Sequence, residues 1–335
     1  MRPNWTRLVA VLAAGTLLAA CGQPAKPSSS GVGDQDVATG GRLFSTADSE
    51  TAKLGADVGP GVFPRTVTHA LGKTKLDKKP TRVVVLDSGE LDDVLALGVT
   101  PVGMATTAGQ NGVPSYLADR VKGIPAVGEI NNLNLEQIAA LTPDLIVGSK
   151  LRANDLYPQL SKIAPTVFSI RPGFPWKENL LLIGASLGDE TKAVGLLNDY
   201  QQRANEVKAS VKGTPKVSLL RFLSGNIRLY GNLSFIGVIL KDVGLARPAN
   251  QNINELAAQI SKERIDEADA DWIFYSSYGA GPSADEKAVT SSGLWAGLGA
   301  VKAKHAVPVD DSVWFLGLGP IGAMKVLDDL KKYLG

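Results

Sequence analysis

Apolar positions change period repeatedly along residues 64–175. Thr66-Val-Thr68 alternates as a short strand, and Leu71 to Lys79 is its polar return. Arg82-Val-Val-Val-Leu86 is an unbroken β-branched run, the pattern of a parallel strand covered on both faces. Glu90 to Leu97 switches to helical spacing and stops at Gly98. Val99 to Met104 begins another strand. Asn134 stands at the cap position of a helix over Leu135–Leu141, which puts Glu136 in its exposed first turn. Leu145–Val147 is a strand, Tyr157–Ile163 a helix and Thr166–Phe168 a strand. This alternation predicts an α/β lobe with a mostly parallel sheet.

Two helices follow, Trp176–Leu187 and Thr191–Val211, separated by Gly188. The second has apolar or small residues at 193, 196, 197, 200, 204 and 207, a continuous helical stripe. Its ~21 residues reach about 30 Å. No strand interrupts it, so it suits a rigid rod between lobes. After Pro215 the α/β pattern restarts. Val217–Phe222 and Ile227–Tyr230 are predicted strands, and Ser234–Val243 a helix ended by Gly244. Short helices are predicted at Glu255–Ile260 and Glu263–Ala268, then a strand at Trp272–Ser276. A short helix at Leu294–Leu298, a strand at His305–Val309 and an amphipathic helix at Ile321–Leu334 close the chain.

The two halves echo each other. Glu136-Gln-Ile138 is followed by Asp144 and the apolar Leu145-Ile-Val147; Glu263-Arg-Ile265 is followed by Asp271 and Trp272-Ile-Phe274. Glu-x-Ile alone is a common helix fragment. The equal spacing through to the strand is what suggests one helix-then-strand unit repeated in two similar α/β lobes. It also suggests one carboxylate per lobe at matched places.

The N-terminus changes the picture of where the protein works. Arg2 and Arg7 precede an uncharged apolar run from Leu8 to Ala20, ending Leu18-Ala-Ala-Cys21. This is an expected export signal, residues 1–20, cleaved before Cys21. The run is too short for a bilayer-spanning helix. Residues 21–62, rich in Gly, Ser, Pro, Ala and Asp, read as a flexible linker. The remaining expectations are an N-terminal lobe over 63–175, a helical segment with the interlobe helix over 176–212, and a C-terminal lobe over 213–335. Cys21 is the single cysteine, so no internal disulfide is available to the exported chain. Removal of Arg2 and Arg7 takes the 35 basic residues to 33, matching the 33 acidic ones. A neutral balance argues against a nucleic-acid partner and against a polybasic membrane-surface protein.

Candidate chemistry is sparse. The two histidines, His69 and His305, have no obvious Ser, Asp or Cys partner, and no G-x-S-x-G elbow exists. Two scattered histidines argue against a naked transition-metal site, and no cofactor or enzyme activity is expected. Gly317-Leu-Gly319-Pro-Ile-Gly322 matches the dinucleotide-binding pattern, but the chain ends too soon after it for a second strand and a ribose-binding acid. It is read as a turn into the last helix. Arg and aromatic residues cluster at strand ends: Arg171 and Trp176 in the first lobe, and Arg221, Arg228, Tyr230, Tyr275, Tyr278, Trp295 and Trp314 in the second. Loops beyond strand ends are where α/β folds bind ligands. Arg recognises anionic oxygens by paired hydrogen bonds, and flat rings cover apolar or chelate surfaces. Taken singly, each aromatic suits core packing as well, and each Arg a solvated surface.

Several segments together resemble a known family. Ala20-Cys21 behind its apolar run is similar to a bacterial lipobox. Phe63-Pro-Arg-Thr-Val-Thr-His69, Lys79-Pro-Thr-Arg-Val-Val-Val-Leu-Asp87 and Asn134-Leu-Glu136-Gln-Ile-Ala-Ala-Leu-Thr-Pro143-Asp144 resemble helical-hinge (class III) substrate-binding lipoproteins of iron-complex ABC importers. Trp176-x-Glu178-Asn179-Leu and Trp314-x4-Gly319-Pro320 also fit. The resemblance covers about residues 63–335. It implies an α/β fold of two Rossmann-like lobes joined by one long α-helix, with the ligand cleft between lobes. It implies a lipidated Cys21, a cell-envelope location and a ferric siderophore or ferric citrate as ligand. It further implies that Glu136 and Glu263 dock onto an integral-membrane ABC permease dimer; the match at Glu263 is looser, since Ser261-Lys-Glu lacks the usual apolar lead-in. A heme or cobalamin receptor, with Tyr275, Tyr278 or His305 on the metal, is the alternative of the same type. An envelope scaffold lipoprotein is the alternative of a different type.

Overall fold

The computed structural model describes residues 51, 53–107, 112–279 and 281–335. The expected signal, Cys21 and the linker up to residue 50 lie outside the described residues. Where composition predicts linker to residue 62, Gly55–Ala56 is already a strand, β1. It pairs antiparallel with β2 (Arg65–His69), which pairs with β3 (Gly72–Leu76). Asp57 accepts from the Thr66 amide and Gly59 from Arg65, so Gly- and Asp-rich sequence serves here as turn chemistry.

The N-terminal lobe is built on six strands in the order β7-β6-β5-β4-β8-β9. These are β4 (Val83–Val85), β5 (Gly103–Thr106), β6 (Ala126–Glu129), β7 (Asn132–Leu133), β8 (Leu145–Ser149) and β9 (Thr166–Ser169). All neighbours are parallel except β7, which returns antiparallel on β6. Val83, Val84 and Val85 are buried, as a doubly covered parallel strand requires. The C-terminal lobe has five strands in the order β12-β11-β10-β13-β14: β10 (Val217–Leu223), β11 (Asn226–Tyr230), β12 (Ala257–Ile260), β13 (Trp272–Ser277) and β14 (Ala306–Pro308). β12 corrects the helix predicted at Glu255–Ile260. Ala-Ala-Gln favours helix locally, but the open edge of β11 takes it as an antiparallel partner, Ile227 opposite Ile260.

The echo between the halves is structural. Asp144 accepts from the Thr81 and Arg82 amides, directly before β4, and Asp271 accepts from the Lys216 amide, directly before β10. Each Asp therefore pins the start of the neighbouring parallel strand, with Val83 opposite Leu145 and Val217 opposite Trp272. The matched isoleucines, Ile138 and Ile265, are fully buried and anchor the short helices Leu135–Ala140 and Lys262–Ala268 (a 3-10 helix).

Two devices tie the lobes. The helix Glu190–Ser210 crosses between cores. Ala193, with Leu196 and Leu197, packs in the N-terminal core beside Val94 and Leu187. Tyr200, Ala204 and Val207 pack in the C-terminal core beside Ile239 and Leu240. Its predecessor, Trp176–Leu187, ends at Gly188 in the left-handed region (φ 71°), where a Cβ would lie 2.6 Å from Phe63. The second device is Asp92, fully buried on the N-terminal-lobe helix Ser88–Ala96. Its carboxylate accepts from the amides of Ile321 (2.8 Å) and Gly322 (3.0 Å), at the start of the last helix, Pro320–Leu334. The Gly317–Gly322 turn thus opens a helix N-terminus whose free amides are taken by a side-chain carboxyl of the other lobe. A Cβ at Gly319 would lie 2.6 Å from Asp92, so the close approach needs glycine.

Candidate functional site

The C-terminal ends of the strands in both lobes converge on one cleft. Leu151 and Arg152 follow β8, Arg171 follows β9, and Arg221 and Arg228 lie on β10 and β11; all line one chamber of about 120 Å³. A second chamber of about 600 Å³ is lined by Tyr275, Ser276, Ser277 and Asp311 from the C-terminal lobe and by Val113 and Ser115 from the N-terminal lobe. The two adjoin at Arg221 and Asp311, which are paired to each other. The first alone is too small for a ligand of a few hundred Å³, while the two together fall in the usual range of binding sites.

Four arginines crowd this place. Arg221 and Arg228 stand directly opposite each other across the β10–β11 ladder, a like-charge arrangement that costs stability unless neutralised. Asp311 neutralises one of them. It accepts from Arg221 Nε and Nη2, both at 2.6 Å, and from Ser276 Oγ at 2.8 Å. Arg221 Nη1 donates to Tyr230 Oη, and the Tyr278 and Phe315 rings cover the guanidinium at 4.9 and 5.3 Å. Arg228 has no such counter-ion among the described residues, and its Nε is buried without a hydrogen-bond partner among them. Arg152 lies 3.6 Å from Asp87. Arg171 is largely buried, its loop held by Asn179, which donates to the Arg171 carbonyl at 2.8 Å. Burial, and then the charge of Arg152, lower the Arg171 pKa to about 9, so it is still cationic at neutral pH.

The structure brings Arg171, Arg221, Arg228 and Tyr230 to one chamber, sets Tyr278 over Arg221 and places Tyr275 on the neighbouring wall. Of the three tryptophans expected at the ligand space, only Trp314 is among the residues lining the arginine chamber; Trp176 and Trp295 line neither chamber. Trp176 is fully buried, edge-on to Tyr200 at 4.8 Å. Trp295 packs against Tyr275 in the outer core of the C-terminal lobe. Trp314 is fully buried, stacks on Phe274 at 4.6 Å and donates to Asp329, so its indole is a fixed part of the wall of the arginine chamber. Large rings near strand ends serve core closure as readily as ligand contact. His305 is also displaced from the alternative role of metal ligand. It stacks on Trp272 at 4.0 Å, before β14, at the edge of the sheet away from the arginines.

Glu136 and Glu263 are exposed, each in the first turn of its short helix. The register Phe222–Ile227–Ile260 puts the start of the Glu263 helix at the C-terminal edge of β10, the cleft edge. The Ser261 hydroxyl holds the Glu263 carboxyl below its usual pKa. Sequence reasoning missed Arg152, Phe315 and Asp311. Arg152 lies three residues beyond β8, in the short helix Lys150–Ala153, and was within reach of the strand-end argument. Asp311 carries no local signal, because its partner lies 90 residues away.

A family model described as periplasmic binding protein matches residues 83–313. A probable siderophore-binding lipoprotein, YfiY, of Bacillus subtilis is 37% identical over 283 residues, 80% of this chain and 87% of that protein. An achromobactin-binding periplasmic protein of Dickeya dadantii is 30% identical over 266 residues, 76% of this chain and 87% of that protein. Among solved structures, Staphylococcus aureus SirA complexed with staphyloferrin B superposes with a TM-score of 0.72 at 34% identity, covering 80% of this chain and 98% of that one.

Proposed function

This chain belongs to the periplasmic binding protein family, and from that premise we propose that it is an exported, lipid-anchored receptor for a ferric chelate, delivering it to an ABC-type permease. The observation that carries the reading is the arginine cluster: four guanidiniums at the interlobe cleft, one of which, Arg228, is half-buried and pairs with no carboxylate among the described residues. A deficit of acid at such a place fits a ligand that brings its own negative oxygens, as a carboxylate-bearing chelate does. Among the described residues no group of three or more His, Cys, Asp or Glu is placed to hold a metal ion. The iron is cargo, held by its chelator, and the protein grips the periphery. The relatives named above for siderophores favour the same ligand class. The family is one of binding proteins, and we assign this chain no reaction.

Cys21 would carry the lipid, and the linker would let the lobes stand off the membrane. Glu136 and Glu263, one exposed carboxylate per lobe at matched turns, suit docking on paired basic sites of a two-subunit channel. Isothermal titration with ferric citrate, ferric staphyloferrin B, heme and cobalamin tests the receptor reading. Saturable binding of one ferric chelate, absent for its iron-free form, is expected; flat titrations across the panel would favour the envelope scaffold.

A further inference from the structure

Behind the arginine chamber, two acids sit at the start of one helix, each tied to the end of a different strand. Ser149 and Ser169 close β8 and β9 and stand opposite each other in that parallel ladder. Ser149 Oγ donates to Asp87 Oδ2 at 3.3 Å, and Ser169 Oγ donates to Glu90 Oε1 at 2.6 Å. Asp87 caps the helix Ser88–Ala96, accepting from the Ser88 amide at 2.8 Å, and Glu90 lies in its first turn. Both side chains are buried, Glu90 fully. Arg152 lines the chamber and brings its Nε to 3.6 Å from Asp87 Oδ2, with 39% of its side chain exposed. A cation that balances the buried acids therefore also faces the ligand space. Asp87 and Asp93, on the same helix, disfavour a charge on Glu90, and Arg152 favours it. Of the other elements packed on this helix, β4 and β5 bring no acid or base, and neither do the buried faces of Trp176–Leu187 and Pro320–Leu334. Tyr116 and Arg120 act on Asp92, which is two residues on and so on another side of the helix. Burial, and then the Asp87 charge, raise the Glu90 pKa to about 7 against the pull of Ser169 and Arg152.

We propose that Asp87 and Glu90 are positioning residues for Arg152, and that an anionic ligand engaging Arg152 draws a solvent proton onto Glu90. This rests on the receptor reading, since the ligand must bring the anion. Asp87 holds the guanidinium at the chamber wall while the cleft is empty. A ligand carboxylate paired with Arg152 offsets its charge, so Arg152 compensates the acids behind it less. Two neighbouring acids in a buried place do not both stay ionised once that compensation falls, and Glu90, the more deeply buried, takes the proton. By linkage, a ligand that raises the Glu90 pKa binds more tightly when Glu90 is protonated, which is at lower pH. A rise of about one unit from about 7 takes up about 0.4 proton per ligand at pH 7.

Calorimetric titration of ferric citrate and of ferric staphyloferrin B, in two buffers of different ionisation enthalpy, reads the protons taken up. Three proteins are compared: the unmodified chain, Glu90→Gln, which keeps an acceptor for Ser169, and Arg152→Gln at the partly exposed cation. The ligand and pH are the same in each comparison, so the ligand's own protonation cancels. The unmodified chain is expected to take up about 0.4 proton more at pH 7 than either variant. Glu90→Gln mimics the protonated acid, so it should bind about fivefold more tightly than the unmodified chain at pH 8 and about equally at pH 6, a pattern that a purely structural role would not produce. Arg152→Gln should bind roughly tenfold more weakly. Equal proton numbers in the unmodified chain and Glu90→Gln, or an excess that survives in Arg152→Gln, would overturn the proposal. Should Glu90→Gln not fold, the proton count of the unmodified chain against Arg152→Gln decides alone, and equality overturns it. Saturation by neither chelate would remove the receptor reading and the proton uptake together, whereas saturation with equal proton numbers removes the proton uptake only.

Discussion

Replacing Asp92 tests whether the lobes are held by a buried proton as well as by a helix. Asp92 is fully buried and joins three groups: the Ile321 and Gly322 amides of the last helix and Tyr116 Oη at 2.7 Å. Tyr116 Oη also lies 2.5 Å from the Gly317 carbonyl. One phenolic proton cannot serve both acceptors. If it goes to the carbonyl, which can only accept, the link to Asp92 is completed by a proton on the carboxyl. Burial works in the same direction, raising the Asp92 pKa from 3.8 to about 7 against the pull of Tyr116, Ile321 and Gly322. Asp93 and Glu90 on the same helix are buried and raised too, and Arg120 favours the anion. Asp92→Ala leaves one buried and one part-buried amide unsatisfied, each worth about 1–3 kcal/mol, so a loss of about 2–6 kcal/mol is expected at pH 5. The pH dependence follows from the sign of the shift. A carboxyl with a raised folded pKa contributes stability that is full below about 3.8 and is lost as pH rises through about 7. Between pH 5 and 8 the unmodified chain should lose about 2–3 kcal/mol through Asp92 that the variant cannot lose. Urea unfolding followed by circular dichroism at the two pH values measures the difference. A cost of Asp92→Ala that is the same at both pH values, or larger at pH 8, would refute the protonated link.

Other outcomes follow from the same geometry. Arg228→Gln should weaken ferric-chelate binding about tenfold in calorimetry, with the unfolding temperature unchanged, because its guanidinium has no counter-ion among the described residues; unaltered affinity would remove it from the site. Asp311→Ala should cost about 3–5 kcal/mol in urea unfolding, since it strands the buried Arg221 charge; a loss below about 1 kcal/mol would show that Arg221 finds other acceptors. Glu136→Arg or Glu263→Arg should abolish iron uptake by cells while calorimetric ligand affinity stays intact, and equal loss of both would sink the docking assignment. Asp144→Ala and Asp271→Ala should each destabilise by about 1–3 kcal/mol through the strand-start amides they hold, without changing ligand affinity.

The alternation of β-branched runs with helical stripes was sufficient to read two α/β lobes and the bridging helix, because burial on both faces and 3.6-residue spacing are local properties of sequence. The Glu-x-Ile…Asp echo was legible for the same reason. Its Ile and Asp act on the backbone within their own repeat and the adjacent strand, so both lobes keep them at the same spacing. Glu255–Ile260 was misread because an edge strand is decided by its neighbour and not by its own residues. The site was legible only as a composition of Arg and aromatic side chains at strand ends. Which rings close a core and which guanidiniums keep an unspent charge depends on partners distant in sequence: Asp329 for Trp314, Tyr200 for Trp176, Asp311 for Arg221. A side chain's type fixes what it can bind. Burial and long-range pairing fix whether it is still able to, and those exist only once the two sheets and their connecting helices have packed.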